Sequence, residues 1–236
     1  MSLPPGIDLR CGDWREVLAD VGECDALITD PPYSERTHAA AAASRDPSTM
    51  TKAPPAEIPY ACWSDSEADH FAREWSCRCR GWVVLITSHD LARVFEASLL
   101  DEGRYVFAPV PWVAMGSRIR LAGDGPSNWA CWIVVARPRS LPYSKWGTLP
   151  GAYLYSNRDN EIVGGKPLAL MRSLVKDYSR PGDLVCDPCA GMATTLIAAA
   201  IEGRRSVGSE LDPSTHARAM SRIARGFTPL LPGLAA

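Results

Sequence analysis

Asp183-Leu184-Val185-Cys186-Asp187-Pro188-Cys189-Ala190-Gly191-Met192-Ala193-Thr194-Thr195 reads as a short apolar strand, a turn of small residues and the start of a helix. The helix runs on through apolar residues to Glu202 and stops at Gly203. Arg205 to Glu210 reads as the next strand, and Pro213 to Arg225 as an amphipathic helix. Upstream, Leu168, Met171, Leu174 and Val175 recur at helical spacing over Leu168 to Tyr178. Strands alternating with helices predict an α/β protein built on a parallel sheet. In the turn, small residues let a ligand approach the backbone, and the helix start offers free N–H groups. Asp187 ends one strand and Glu210 the next, where a carboxylate can take both hydroxyls of a ribose. The turn has too few glycines for a dinucleotide fingerprint and lacks the Lys-Ser/Thr ending of a phosphate loop. A nucleoside carrying a carboxylate therefore fits better than a diphosphate, and a plain strand-to-helix turn remains the alternative for this segment alone.

In the N-terminal half, Ile7 to Cys11 reads as a strand, followed by Gly12-Asp13 and a short helix from Trp14 to Val21. The apolar run Cys24 to Thr29 ends in Asp30-Pro31-Pro32-Tyr33. Proline fixes φ and offers a carbonyl without an N–H, so the two prolines make a rigid, acceptor-rich corner, and Pro31 keeps Asp30 out of helix. Asp30 and the Pro31 carbonyl could accept both hydrogens of an exocyclic amine, with Tyr33 as a stacking face. On its own the tetrapeptide is equally compatible with a plain strand exit.

Ser34 to Tyr60 reads as a long loop carrying Arg36, His38, Arg45 and Lys52. Order resumes with a helix over Ala68 to Arg80 and a buried strand over Gly81 to Thr87. Further strands are expected over Tyr105 to Val113 and Trp129 to Ala136, with a helix over Leu91 to Leu100. Met115 to Ser127 and Pro138 to Gly165 read as irregular, the second with Trp146, Tyr153 and Tyr155 among turn residues. The tryptophans at 82, 112, 129 and 132 read as core. No repeat or linker splits the chain, so residues 1–236 are expected to form one domain.

A net charge of −2 over 236 residues excludes a nucleic-acid binder working by bulk positive charge, but not one with a local basic groove. No apolar run reaches ~18 residues, and the N-terminus lacks the pattern of a secretory signal. The eight cysteines sit mostly in apolar stretches. Cys186 and Cys189 have no second pair to complete a zinc set, so no metal is expected and reduced thiols imply a cytoplasmic setting.

Asp30-Pro31-Pro32-Tyr33 with Asp187-Pro188-Cys189-Ala190-Gly191-Met192-Ala193-Thr194-Thr195 resembles the S-adenosylmethionine-dependent DNA amino-methyltransferases, which methylate adenine N6 or cytosine N4. The order here, amine motif first and cofactor motif near the C-terminus, resembles their permuted β group, over about Ile7 to Arg225. The resemblance implies a single-domain Rossmann-like methyltransferase fold, with a mostly parallel seven-stranded sheet, helices on both faces and circularly permuted motifs. It implies S-adenosyl-L-methionine held by Asp13, Lys166, Pro167, Asp187, Cys189, Ala190, Gly191, Thr194, Thr195 and Glu210. Asp30, Pro31, Pro32 and Tyr33 would be catalytic, acting on a base flipped out of DNA. Aspartate at the first motif position leans toward adenine, with cytosine N4 as the alternative and a non-catalytic relic of the fold as the reading from a different class. Two departures stand out: Cys189 replaces the family's usual Phe, and Ala193 its usual second glycine. DNA contacts are assigned to the loop 34–60, with Arg36, His38, Arg45 and Lys52. They are also assigned to the segment 138–165 and its flank, with Arg137, Arg139, Lys145 and Arg158. A homodimer is expected by family analogy, in a bacterial or phage-encoded setting at the nucleoid; a partner nuclease is left open.

Overall fold

The computed structural model describes residues 3–37, 62–116, 128–141, 146–156 and 165–226. Within them lie β1 (Ile7–Cys11), α1 (Trp14–Val17), β2 (Cys24–Thr29), α2 (Asp65–Arg78), β3 (Cys79–Thr87), α3 (His89–Asp101), β4 (Tyr105–Val106) and β5 (Val110–Met115). They continue with β6 (Ala130–Arg137), β7 (Tyr153–Ser156), α4 (Leu168–Tyr178), β8 (Leu184–Asp187), α5 (Thr194–Ile201), β9 (Arg205–Glu210) and α6 (Pro213–Ala224). One sheet runs β1-β9-β8-β2-β3-β6-β5-β7, with β4 paired to β6.

The stretch β1-β9-β8-β2-β3 is parallel throughout; β6 runs antiparallel to β3 and β5, and β7 returns parallel to β5. Strands buried on both faces should be apolar without alternation. β3 meets this, being buried from Gly81 to Thr87, and so does β2 over Ala26 to Thr29. One face carries α1, α2 and α3 on a core that includes Trp14, Phe71, Trp75 and Phe95. The other carries α4, packed through Leu170, Met171, Leu174 and Val175, and then α5 and α6 on Ile7, Leu9, Leu196 and Ile223. The expected helical spacing of Leu168 to Tyr178 is thus the face that packs on the sheet.

From β2 the chain moves to β3 on one side, and from β8 to β9 on the other. The β2/β8 boundary is therefore the switch point of the sheet, where a crevice opens beyond the strands' C-terminal ends in folds of this kind. Asp30 follows β2 and Asp187 ends β8, so both sequence motifs lie at that switch point.

Several expectations need correction. Among the described residues the sheet has nine strands, not seven: β4 is a two-residue pairing on β6, and β7 lies in the segment read as irregular. Tyr153 and Tyr155 belong to that edge strand, in register with Trp112 and Ala114. Four residues between Gly151 and the polar residues after Ser156 carry too little alternation to stand out. Trp129 is 40% exposed, because it precedes β6 at the sheet's rim, whereas Trp82 and Trp112 are core. The first helix ends at Val17, followed by a turn. α2 starts at Asp65, set by a capping box in which Ser64 and Glu67 bond each other's backbone N–H.

Candidate active site

The site grows from two adjacent strand ends. Thr29, the last residue of β2, donates its hydroxyl to Asp187 Oδ1 at 2.6 Å. The Cys189 N–H donates to the same oxygen at 3.2 Å, and the Thr195 hydroxyl favours the charged form of this carboxylate. Asp187 is buried, and burial pushes its carboxyl up to about 6; the Asp30 charge adds to the rise, while the three donors oppose it. The turn that follows is tied down on its far side. Ala190 N–H donates to the Ser209 carbonyl at 2.8 Å, and Ser209 Oγ to the Pro188 carbonyl at 2.8 Å.

Gly191 adopts φ +51 with open space where a side chain would be, so the backbone is accessible there. Ala193 has φ 60 and ψ 30, a left-handed conformation that costs an L-residue about 1 kcal/mol. Its methyl is fully buried against Ile197 and Leu196, which compensates for the strain. The place that the resemblance gives to a second glycine is thus held by an alanine in left-handed conformation. α5 begins with no side-chain cap. Arg222 of α6 braces the turn, donating to the Met192 carbonyl at 2.9 Å and to Thr194 Oγ1 at 2.8 Å. Thr194 therefore spends its hydroxyl on the protein.

Glu210 ends β9 across the turn. Its carboxylate takes the N–H of Asp212 at 2.8 Å, and the backbone of Gly191 favours its charged form, while burial, the larger effect, pushes its carboxyl upward. The Gly12 N–H donates to the Glu210 carbonyl at 2.9 Å, which seats Gly12-Asp13 beside it. Asp13 itself caps α1, accepting from the Arg15 N–H at 2.8 Å and pairing with its guanidinium. Gly208 in β9 is obligatory: a Cβ there would stand 2.5 Å from the Asp187 carbonyl oxygen and 3.3 Å from Ala190 Cβ.

At the other motif, the Tyr33 hydroxyl donates to Asp30 Oδ1 at 3.0 Å and lies 3.6 Å from Cys131 Sγ of β6. Burial, reinforced by the Asp30 charge, holds the Tyr33 phenol well above its ordinary value, so it stays a donor. Asp30 Oδ2 pairs with the Lys166 ammonium, whose Nζ lies 5.1 Å from the centroid of the Tyr33 ring. Cys189 stands amid the two motifs: burial first, then the charges of Asp187, Glu210 and Asp30, push its thiol well above the ordinary range, so it stays protonated.

The structure thus brings together Asp30, Tyr33, Asp187, Cys189, Ala190, Gly191, Thr194, Thr195 and Glu210, with Pro31 and Pro32 in the connecting corner. Pro167 caps α4. Lys166, which the resemblance assigns to the cofactor, pairs with Asp30 at the amine corner. Thr29, Cys131, Gly208 and Arg222 went unmarked in the sequence, where each looks like an ordinary strand or helix residue. Among the proposed DNA contacts, Arg137 is corrected: it is 3% exposed, donates to the Pro138 and Leu141 carbonyls, and lies over the rings of Tyr105 and Phe107. Its position at the end of a buried strand makes it a packing residue. Arg36 and Arg139 are exposed, the latter donating to the Gly103 carbonyl at 3.1 Å. His38, Arg45, Lys52, Lys145 and Arg158 lie outside the described residues. All eight cysteines are free thiols. No described helix is long and apolar enough to cross a membrane.

Residues 146–221 match the profile of the DNA methylase family of N6/N4 type. The chain is 40% identical over 80 residues to the type II methyltransferase M.MthZI of Methanothermobacter thermautotrophicus, covering 33% of this chain and 22% of that one. It is 34% identical over 74 residues to the DNA adenine methyltransferase YhdJ of Escherichia coli K12, covering 31% and 25%. These matches span about a quarter or less of those relatives' own lengths. Its fold is similar to that of M1.HpyAVI, solved as a complex with SAM, at a TM-score of 0.67 and 20% identity, covering 92% of this chain and 99% of that one. The likeness in sequence is to DNA methylases of N6/N4 type over residues 146–221, and the likeness in fold to M1.HpyAVI extends over nearly the whole chain.

Proposed function

We propose that the chain transfers a methyl group from S-adenosyl-L-methionine to the exocyclic amine of a base flipped out of DNA, adenine N6 first. The observation that carries this reading is the Thr29–Asp187 bond, which couples the amine corner to the cofactor turn across the switch point of the sheet. The residues present fit the cofactor. Gly191 leaves its backbone open, α5 starts uncapped, and Glu210 and Asp187 are carboxylates that burial leaves in want of further donors or positive charge.

When bound, S-adenosylmethionine supplies a methyl on a cationic sulfur that leaves as a neutral thioether. Asp187, Ala190, Gly191 and Glu210 would hold it, Glu210 taking the ribose hydroxyls. Asp30 and the Pro31 carbonyl accept the hydrogens of the target amine and turn its lone pair out of the base plane, so that catalysis is mainly positioning. Asp30 then stabilises the positive charge that appears on the methylated nitrogen until a proton leaves to solvent. Tyr33 has two tasks, a ring face for the base and a hydroxyl that orients Asp30. Cys189, neutral and uncharged among three acids, serves as wall rather than nucleophile.

The preference for adenine rests on the aspartate at the first position of the motif and on the likeness to an adenine methyltransferase. DNA is the inferred partner, with exposed Arg36 next to the corner and the loop 34–60 attached to it. A single catalytic domain, a homodimer and a cytoplasmic, nucleoid setting complete the reading by family analogy. The Asp30→Ala variant tests it: methyl transfer to DNA should fall by at least about a thousandfold, as expected when positioning and charge stabilisation are both lost. Binding of S-adenosylmethionine, followed by calorimetry, should change little. Retained transfer would overturn the assignment of Asp30.

A further inference from the structure

The acceptor that a target amine needs at Asp30 is occupied by the protein's own ammonium. Of the two carboxylate oxygens, Oδ1 takes the Tyr33 hydroxyl and Oδ2 takes Lys166. The same ammonium lies over the Tyr33 ring, 5.1 Å from its centroid, and so covers the face on which a base would stack. The side chains of the pair are 10% and 26% exposed, so removing Lys166 without replacement would leave Asp30 charged and poorly solvated. A neutral aromatic amine cannot replace that charge. Another cation can.

The surroundings sharpen this requirement. Asp187, Glu210 and Asp30 all push the Cys189 thiol upward, so three carboxylates act on this one side chain. Among the described residues, Lys166–Asp30 is the ion pair that involves any of the three. Lys166 sits just before the Pro167 cap of α4, on a flexible four-carbon stem, so its ammonium can move while the helix stays packed.

We propose that Lys166 is a positioning residue that holds the amine seat of Asp30 and yields it to the cationic cofactor, so that the cofactor loads before the target base. The proposal rests on the methyltransferase reading above. With a sulfonium close by, Asp30 keeps its charge compensation and Lys166 is repelled, which frees Oδ2 and the Tyr33 face for the base. After transfer the sulfur is a neutral thioether; Lys166 is again the available cation, and its return competes with the methylated amine and favours product release.

Calorimetric titration of the whole chain with S-adenosylmethionine and with S-adenosylhomocysteine, without DNA, tests the exchange. In the wild type the cation must displace Lys166, so the two ligands should bind with similar affinity. In Lys166→Met the ratio of affinities should move at least ~10-fold toward S-adenosylmethionine, the effect of one opposite charge at close range. Lys166→Arg should restore the wild-type ratio. An unchanged ratio with both ligands weakened equally would overturn the proposal, because Lys166 would then only clamp a group common to both. Failure of the wild type to bind either ligand would overturn the cofactor reading itself, and the proposal with it. A second measurement needs no variant: with 15N-labelled lysine, the Lys166 ammonium resonance should move on adding S-adenosylmethionine and hold with S-adenosylhomocysteine. A resonance unmoved by S-adenosylmethionine would overturn the proposal.

Discussion

Asp187 carries two opposed demands, and they set a pH dependence. Its carboxyl is pushed up to about 6 from 3.8, mainly by burial. Between those values the folded protein binds more protons than the unfolded chain, so this group's contribution to stability falls as pH rises from about 4 to about 6. Above that window the buried carboxylate costs on the order of 2–3 kcal/mol. Binding a cationic cofactor reverses the sign, because it favours the ionised form. Affinity for S-adenosylmethionine should therefore weaken roughly tenfold per pH unit below about 6, and Asp187→Asn should remove that slope. Calorimetry between about pH 5 and about pH 7 checks this; a flat wild-type profile would take Asp187 out of the site. At this scale the sequence was legible where chemistry depends on residue type at a strand end, as for Asp30, Asp187 and Glu210. It was silent on Lys166 at the amine corner, since that contact joins residues 136 positions apart. The buried position of Arg137 was equally hidden, because a guanidinium on the page does not reveal the carbonyls that receive it.

The element that matters most is the turn between β8 and α5, held against β9. Ala193 tolerates its left-handed backbone because its methyl is packed, whereas Gly208 has no such latitude. Gly208→Ala would press a Cβ to 2.5 Å from the Asp187 carbonyl and 3.0 Å from Leu196 Cδ1, both on packed elements that cannot simply turn away. The variant should lose about 1–3 kcal/mol in denaturant unfolding and should also bind the cofactor more weakly, because the shifted carbonyl belongs to the turn itself. Unfolding at the wild-type midpoint would show that the turn has more freedom than its packing implies. The strand-turn-helix of this element could be read from apolar runs and small residues. β7 could not: a four-residue edge strand has its partner in β5, some forty residues away, and that pairing leaves no local period.

On the scale of the molecule, a single sheet places two motifs that the chain separates by more than 150 residues on neighbouring strands. The alternation of strands and helices made the parallel half of the sheet legible, but not the antiparallel half, where β6 and β5 follow β3 in space through long-range pairing. Both motifs lie on the parallel half, at the boundary where β2 and β8 part company in chain order. At this boundary, we propose, a methyl donor meets an exocyclic amine of DNA. Incubation of the chain with methyl-labelled S-adenosylmethionine and unmethylated DNA, followed by digestion to nucleosides and mass spectrometry, should give labelled N6-methyladenine. Label in N4-methylcytosine would contradict the choice of base, and DNA left unlabelled by a chain that binds the cofactor would contradict the claim.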